Sequence, residues 1–406
     1  MMDRPLRFCM ITTFYPPYNF GGDGIFVQRL SHELAQRGHE VEVIHCIDAY
    51  RFLSRRNPAK PVDDYPNVSV HGLQSRFGFL SPLATQQTGY PLFKSARIKQ
   101  ILQKGFDVIH YHNISLVGGP KILEYGQGRK LYSLHEYWLI CPTHVLFKFN
   151  SQPCTRPHCV PCMLLYRRPL QLWRYLCLLP KKMRHVDTFI APSRFCRNLH
   201  RRRGVHAPVY HLPNFVSEPG NSTLNSAPPV NTEQQSPYFL FVGRLEKLKG
   251  VQTLIPVFRK YTRANLLIVG SGSYEKRLRE LATDCPNIRF MGSRFGRQLQ
   301  QFYRQAVAVI VPTLAFEIFG QVIIEAFIEQ TPAIVRNLGG MPEIIAESDG
   351  GFVYNSDDEL LSAMDQLMAN PLERAQMGRN GYIAYQEKYS ADAYFKSYFE
   401  LIGPKV

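Results

Sequence analysis

YFLFVGRLEKLKG, residues 238–250, decides the fold. Five β-favouring apolar residues, Tyr238 to Val242, run into Gly243. A short polar turn carrying Arg244 and Lys249 follows, and apolar periodicity resumes at Val251. A buried strand that feeds a helix through a glycine turn is half of a strand–helix–strand unit. The pattern recurs downstream in NLLIVGSG with a helix from Tyr274, then NIRFMG, then AVAVIVPT with a helix from about Gln321, then PAIVRN. Upstream, RFCMIT precedes VQRLSHELAQRG and EVEVIHC. Val27, Leu30 and Leu34 fall at helical spacing there, and Gly38 is a natural helix stop. FDVIHYH, KLYSLHE and TFIAPS read as further short strands. Such alternation predicts parallel strands joined by helices, an α/β fold.

The polar stretch 215–236, rich in Ser, Asn and Pro, reads as a linker. The expected layout is therefore a first Rossmann-like domain over 1–214, the linker, a second over 237–385, and a C-terminal helix over 386–406 that crosses back to the first. Two such domains would face a cleft, where ligands bind at strand C-terminal ends.

The chain has 406 residues and 45% hydrophobic content, ordinary for globular domains, with no apolar run of membrane-spanning length. MMDRPLRFCMITTFYPP carries a short apolar stretch ended by Pro16-Pro17 and no small-residue cleavage site, so a cytoplasmic protein is expected. The net charge of +16 is concentrated at 164–203, where eleven Lys/Arg face the single acid Asp187. Basic surfaces attract phosphate in nucleic acid, anionic lipid or a diphosphate ligand alike. The region LLYRRPLQLWRYLCLLPKKMRHVD has a narrow polar stripe, Arg167, Gln171 and Arg174, among large apolar residues. One reading is an amphipathic helix on an anionic membrane; the other is a helix packed on the first domain with a charged outer edge. The basic region lacks the aromatic-interleaved strand motif of common RNA modules, so no nucleic-acid partner is expected.

Nine cysteines, an odd number, argue against a disulfide framework. Cys141, Cys154, Cys159 and Cys162 are spaced C-x12-C-x4-C-x2-C in an insert at 141–162, with His144 and His158 nearby. That spacing suits a structural zinc site; buried or redox-active thiols are the alternative.

Individual motifs leave alternatives open. Arg244 and Lys249 beside a helix start suit a diphosphate, and a solvated basic loop fits the same spacing. VGSGS, with Gly270, and FGGDG, with Gly22, are glycine turns after strands that let backbone approach a ligand or simply bend. VGSGS lacks the full dinucleotide fingerprint. His135 ends a strand and can donate a hydrogen bond or a proton. In AFEIFGQVIIEAF, 315–327, Glu317 and Glu325 stand eight residues apart. An unbroken helix would separate them by roughly 12 Å and turn them by roughly 80°. Glycosidase acid/base pairs lie about 5 to 9.5 Å apart, so a single such pair fits poorly. With Gly320 as the helix start, the two acids flank a helix N-terminus that attracts anions. A long ligand with hydroxyls at both ends and phosphate between suits this arrangement, as a nucleotide sugar does.

Taken together, FVGRLEKLKGVQTLI, LLIVGSGS, NIRFMGS, VIVPT, E-x7-E, LGGMPEII, the N-terminal GG loop, SLHEYW, APSRF and HLPNFV resemble the retaining family 4 glycosyltransferases of the GT-B fold. The resemblance implies a nucleotide-diphosphate sugar donor, a hydroxyl acceptor, a hexose-type sugar and no metal for catalysis. The acceptor would be a glycan, a lipid-linked glycan or a small glycoside. By the same resemblance Arg244 and Lys249 hold the diphosphate, Glu317 contacts the sugar hydroxyls, and Glu325 contacts the ribose. Backbone at Phe319, Gly320, Gln321 and Val322 cradles sugar and phosphate, Gly22 approaches the diphosphate, and His135 touches the sugar near the reacting carbon. Ile318 departs from the family's usual small or hydroxyl residue. EKL replaces the usual Ser-Pro-Glu but keeps the Arg-to-Lys spacing. A GT-B isomerase acting on nucleotide sugars, or a basic nucleic-acid-binding protein, are the alternative functions.

Overall fold

The computed structural model describes residues 4–19, 21–54, 58, 64–217 and 236–403. Most of the expected linker, 218–235, lies outside the described residues. The chain divides into two compact units. The first is 1–145, 158–212 and 395–406; the second is 146–157 and 213–394.

In the first unit the strands are β1 (Arg7–Ile11), β2 (Glu40–Cys46), β3 (Val68–Leu73), β4 (Val108–Tyr111), β5 (Arg129–Ser133), β6 (Thr188–Ala191) and β7 (Val209–His211). They form one sheet in the order β3-β2-β1-β4-β5-β6-β7. Every pairing is parallel, with Ile11 beside Ile44 on one side and Tyr111 on the other. Strands buried on both faces need near-continuous apolar runs, and β1 and β4 have them. Strand order reverses between β1 and β4, which makes the loops after these strands the natural ligand position. Helix α1 (Gly22–Gln36) follows β1 and buries Phe26, Val27, Leu30 and Leu34. It ends just before Gly38, whose φ of 85° a side-chain-bearing residue rarely adopts.

Strands β8 (Tyr238–Val242), β9 (Asn265–Val269), β10 (Ile288–Gly292), β11 (Ala308–Val311), β12 (Ala333–Arg336) and β13 (Gly351–Tyr354) build the second unit's sheet. Their order is β10-β9-β8-β11-β12-β13, again all parallel, with the reversal between β8 and β11. The opening stretch is thus the central strand of this sheet. Phe239, Leu240 and Phe241 are almost fully buried, and each such side chain contributes about 1.5–3 kcal/mol. The last helix, Ala391–Ile402, starts in the second unit and ends in the first. Within the first unit, Tyr398 Oη lies 2.9 Å from His110 Nδ1, Arg37 covers the Phe395 ring, and Arg129 donates to the carbonyl of Ile402.

The basic region departs from the expected helix. Residues 164–186 break into three pieces, ending Cys159–Leu165, spanning Leu172–Leu176 and spanning Leu178–Met183. Two residues of the expected polar stripe turn inward, while Arg167 stays exposed. Gln171 is buried, and Arg174 donates to Gln171 Oε1 and to the Trp138 carbonyl while stacking over Trp138 and Trp173. Burial pulls the Arg174 guanidinium down to about 10. The apolar residues Leu172, Tyr175 and Leu176 face outward instead.

All nine cysteines are reduced thiols. Among the described residues, no group of three or more His, Cys, Asp or Glu side chains is gathered closely enough to hold a metal ion. Cys141, Cys159 and Cys162 of the first unit form no such group, and Cys154 belongs to the second unit. Cys141 Sγ lies 3.2 Å from Thr143 Oγ1, the backbone N–H of Cys154 donates to Leu146 O, and His144 Nδ1 lies 2.7 Å from Glu136 Oε2.

Candidate active site

In the second unit, the C-terminal ends of β8, β9 and β11 present the expected residues on three loops. Gly243 and Gly270 lock two of these loops together. A Cβ at Gly270 would come within 1.9 Å of the Gly243 carbonyl, and the φ of Gly270 is 137°. Gly270 is thus required for close backbone packing, beyond any approach to a ligand. The Leu245 N–H donates to Ser271 O across the same junction. Arg244, half-exposed beyond this lock, pairs with Glu246 at 2.9 Å. Lys249 ends a short 3-10 turn and meets Glu317, Nζ to Oε1, at 2.5 Å.

Glu317 is held from three sides. Thr313 Oγ1 donates to Glu317 Oε1 at 3.3 Å, and the Gly340 N–H donates to the Glu317 carbonyl. Gly339, with φ of 74°, lies so close that a Cβ there would fall 2.4 Å from that carbonyl. Gly320 then opens the helix Gln321–Ile328, in the left-handed region (φ 115°) and with no side-chain cap. The first-turn N–H groups of such a helix lack intrahelical acceptors and carry the positive end of its dipole. Glu325 lies one turn further in. Its Oε2 accepts from Tyr303 Oη at 2.8 Å, and its Oε1 accepts from Gln321 Nε2 at 3.1 Å. Tyr303 is buried, and desolvation holds its hydroxyl protonated well above the usual range. The two glutamates are therefore separately oriented, one by a lysine and one by a buried tyrosine.

Phe319 sends its ring into the core, 5.8 Å from that of Tyr389, leaving its backbone as the group available to a ligand. Ile318 packs against the same apolar cluster, which includes Ile323 and Met341. Val322 packs against a second cluster around Leu240 and Val309.

The first unit has its own constellation after β1, β4 and β5. Gly22 is the exposed first residue of α1, and Asn19 braces the preceding turn by accepting from the Gly21 N–H and donating to the Gly21 carbonyl. Asp23 accepts from Asn113 Nδ2 at 3.2 Å. Burial, then the nearby charge of Glu136, raises the Asp23 carboxyl above its usual range. His135 Nε2 lies 2.9 Å from His112 Nδ1, the two rings are nearly parallel, and Phe26 covers His135 at 4.9 Å. Burial lowers His135 to about 4, so its imidazole is neutral near pH 7. A neutral imidazole can donate or accept a hydrogen bond but holds no cationic proton to give. Asp23, Asn113, His112, Thr313 and Tyr303 were not legible as site residues in the sequence. Asp23, Glu136, His112 and Thr313 lie within FGGDG, SLHEYW, FDVIHYH and VIVPT, and His112 and Thr313 both follow strand ends.

Residues 20–218 match Glycosyltransferase Family 4, and residues 225–384 match Glycosyl transferases group 1. An uncharacterized glycosyltransferase of Methanocaldococcus jannaschii is 31% identical over 95% of both chains. The chain belongs to the family 4 (group 1) glycosyltransferases. It is an enzyme of GT-B fold. A GDP-mannose-dependent phosphatidylinositol monomannoside mannosyltransferase of Corynebacterium glutamicum is 31% identical over 46% of this chain and 54% of its own length. Among solved structures, sucrose-phosphate synthase from Thermosynechococcus elongatus superposes with a TM-score of 0.74 at 19% identity, covering 98% of both chains. Anabaena HepE in complex with UDP-glucose gives 0.68 at 16% identity, covering 98% of this glycosyltransferase and 99% of that chain.

Proposed function

We propose that this glycosyltransferase moves a hexose-type sugar from a nucleotide-diphosphate sugar to an acceptor hydroxyl, with retention of anomeric configuration. The observation that carries the reading is the paired orientation of Glu317 and Glu325 on either side of an uncapped helix start, with Lys249 on Glu317. Diphosphate would take the place beside Arg244, Lys249 and the N–H groups from Gly320 to Val322, where charge-assisted bonds are strongest. Glu317 accepts from hydroxyls of the transferred sugar, and Glu325 from the ribose. His135, neutral through burial, is assigned a hydrogen bond to the sugar. The HepE complex with UDP-glucose and the GDP-mannose-dependent relative support a nucleotide-sugar donor.

In the reaction, the bond from the anomeric carbon to the β-phosphate oxygen breaks and the acceptor oxygen bonds on the same face. The departing phosphate oxygen takes the acceptor proton. No general base is then required of the protein. Its work is to stabilise the leaving diphosphate and to orient the sugar. No D-x-D occurs in the sequence, and Arg244 and Lys249 supply the cationic charge that a metal would otherwise provide.

Proton NMR of the reaction mixture tests this reading, using UDP- and GDP-sugars with a panel of glycoside acceptors. The expected product keeps the donor's anomeric configuration and forms only when acceptor is present. Conversion of the donor sugar without acceptor identifies an isomerase instead, and an inverted product rejects the retaining reaction.

A further inference from the structure

Large apolar side chains are exposed together on one face of the first unit. They come from four short elements: α2 (Ile47–Ser54), the residues leading into helix α3 (Leu80–Thr88), the turn Leu92–Lys94, and the turn Leu172–Leu176. Helix α3 packs against each of the other three. The Phe52 and Phe79 rings stack at 6.0 Å, and those of Phe77 and Phe93 lie 4.4 Å apart. Trp173 Nε1 donates to the Gln86 carbonyl and fixes the last turn against α3. Phe79 is 56% exposed and Leu176 72%. Burying such groups in water-free surroundings is favourable, and contiguous exposed apolar surface marks a docking site.

The turn Leu172–Leu176 shows that this exposure is built in. Arg174 is tied inside to Trp138 and Trp173 and to the buried Gln171 that precedes the turn, which leaves Leu172, Tyr175 and Leu176 outside. The orientation is the reverse of the one that solvent alone would favour.

Charge identifies the occupant. Residues 65–106 and 164–186 contain no Asp or Glu. Of their Lys/Arg, Lys94 and Arg174 are turned inward and Lys104 and Lys182 pair with Glu42 and Glu124, whereas Arg76, Arg97, Lys99, Arg167, Arg168, Lys181 and Arg184 are exposed. On α2 the one acid, Asp48, is buried and accepts from the Ser75 N–H. Arg51 on the same helix is exposed, and Arg76 lies over the Phe77 ring at 4.9 Å. Aromatic and leucine side chains with arginines among them and no acid fit the boundary of an anionic bilayer, where rings enter the acyl region and guanidinium groups meet phosphates. We infer that this face seats the enzyme on an anionic lipid surface. The inference is independent of which sugar is transferred.

Flotation of the full chain with vesicles tests it, using phosphatidylcholine alone and phosphatidylcholine mixed with phosphatidylglycerol, whose negative surface potential attracts Lys and Arg. The expected result is co-flotation with the anionic vesicles, weakened by salt, and little with the neutral ones. The double variant Phe79→Ser/Leu176→Ser should lose at least tenfold in vesicle affinity, with its melting temperature and soluble-acceptor activity kept. Arg51→Glu/Arg76→Glu, which alters no buried residue, should weaken binding to anionic vesicles alone. Absence of flotation with anionic vesicles, or equal flotation of both variants and wild type, overturns the inference. So does a concentration-dependent dimer by sedimentation that the Ser variant dissociates while vesicle binding is absent, since a second copy would then be the occupant.

Discussion

Lys249→Ala is expected to lower kcat/KM at least 100-fold, about 2.7 kcal/mol of transition-state stabilisation. Two losses combine. The diphosphate loses a cation, and a hydrogen bond to a charged group is worth about 1.5–3 kcal/mol. Glu317 also loses the ammonium that orients it, leaving Thr313 as its side-chain partner in that set. The pair is about a quarter exposed on both sides, 27% and 23%, so its contribution to stability is small and the variant should stay folded. Steady-state kinetics with a saturating acceptor, run beside a thermal melt, separates the two effects. A loss under fivefold in a folded variant would mean that Lys249 does not serve the donor.

The second large effect is an acid collapse confined to the first unit. His45, His135 and His200 are lowered to about 4, and His110 and His112 well below their ordinary value, each chiefly by burial. All five belong to the first unit. Their imidazoles are neutral in the native protein, whereas the unfolded chain binds protons near pH 6.5. The unfolded state therefore takes up protons first as pH falls. Stability declines from about pH 6.5 to about pH 4 by up to roughly 1.4 kcal/mol per pH unit for each histidine. Asp23 and Asp48, raised by burial, act in the opposite direction but are two against five. Both tryptophans, Trp138 and Trp173, lie in the first unit, so their fluorescence reports on it alone. Urea midpoints followed by tryptophan emission should fall steeply between pH 6.5 and 4.5. A flat midpoint over that interval would show that these histidines are not buried neutral.

Much of this was legible in the sequence because it depends on local pattern. YFLFV, NLLIV and RFCMI are long enough apolar runs to declare doubly buried strands, and Gly320 fixes where the helix between Glu317 and Glu325 begins. The edge strands β3 and β13 were not legible, since VSVHGL and GFVY mix polar or glycine residues into short runs. Helical spacing does not hold for Arg167, Gln171 and Arg174, because Pro169 lies between the first two. Arg167 and Cys177 adopt positive φ, at 52° and 55°, and break the chain into short turns. The partners that orient the site were invisible for another reason. Tyr303 reaches Glu325 from 22 positions away and His112 reaches His135 from 23, distances over which no periodicity carries information.

The central claim is that a nucleotide-diphosphate sugar is held by the second unit's basic loop and paired glutamates. Calorimetric titration of UDP-, GDP- and ADP-sugars into wild type and Arg244→Ala tests it most directly. At least one donor should bind wild type at a single site, and Arg244→Ala should weaken that binding by about 2 kcal/mol, roughly 30-fold in Kd. Unchanged affinity in Arg244→Ala, or no binding of any nucleotide sugar to wild type, would contradict it.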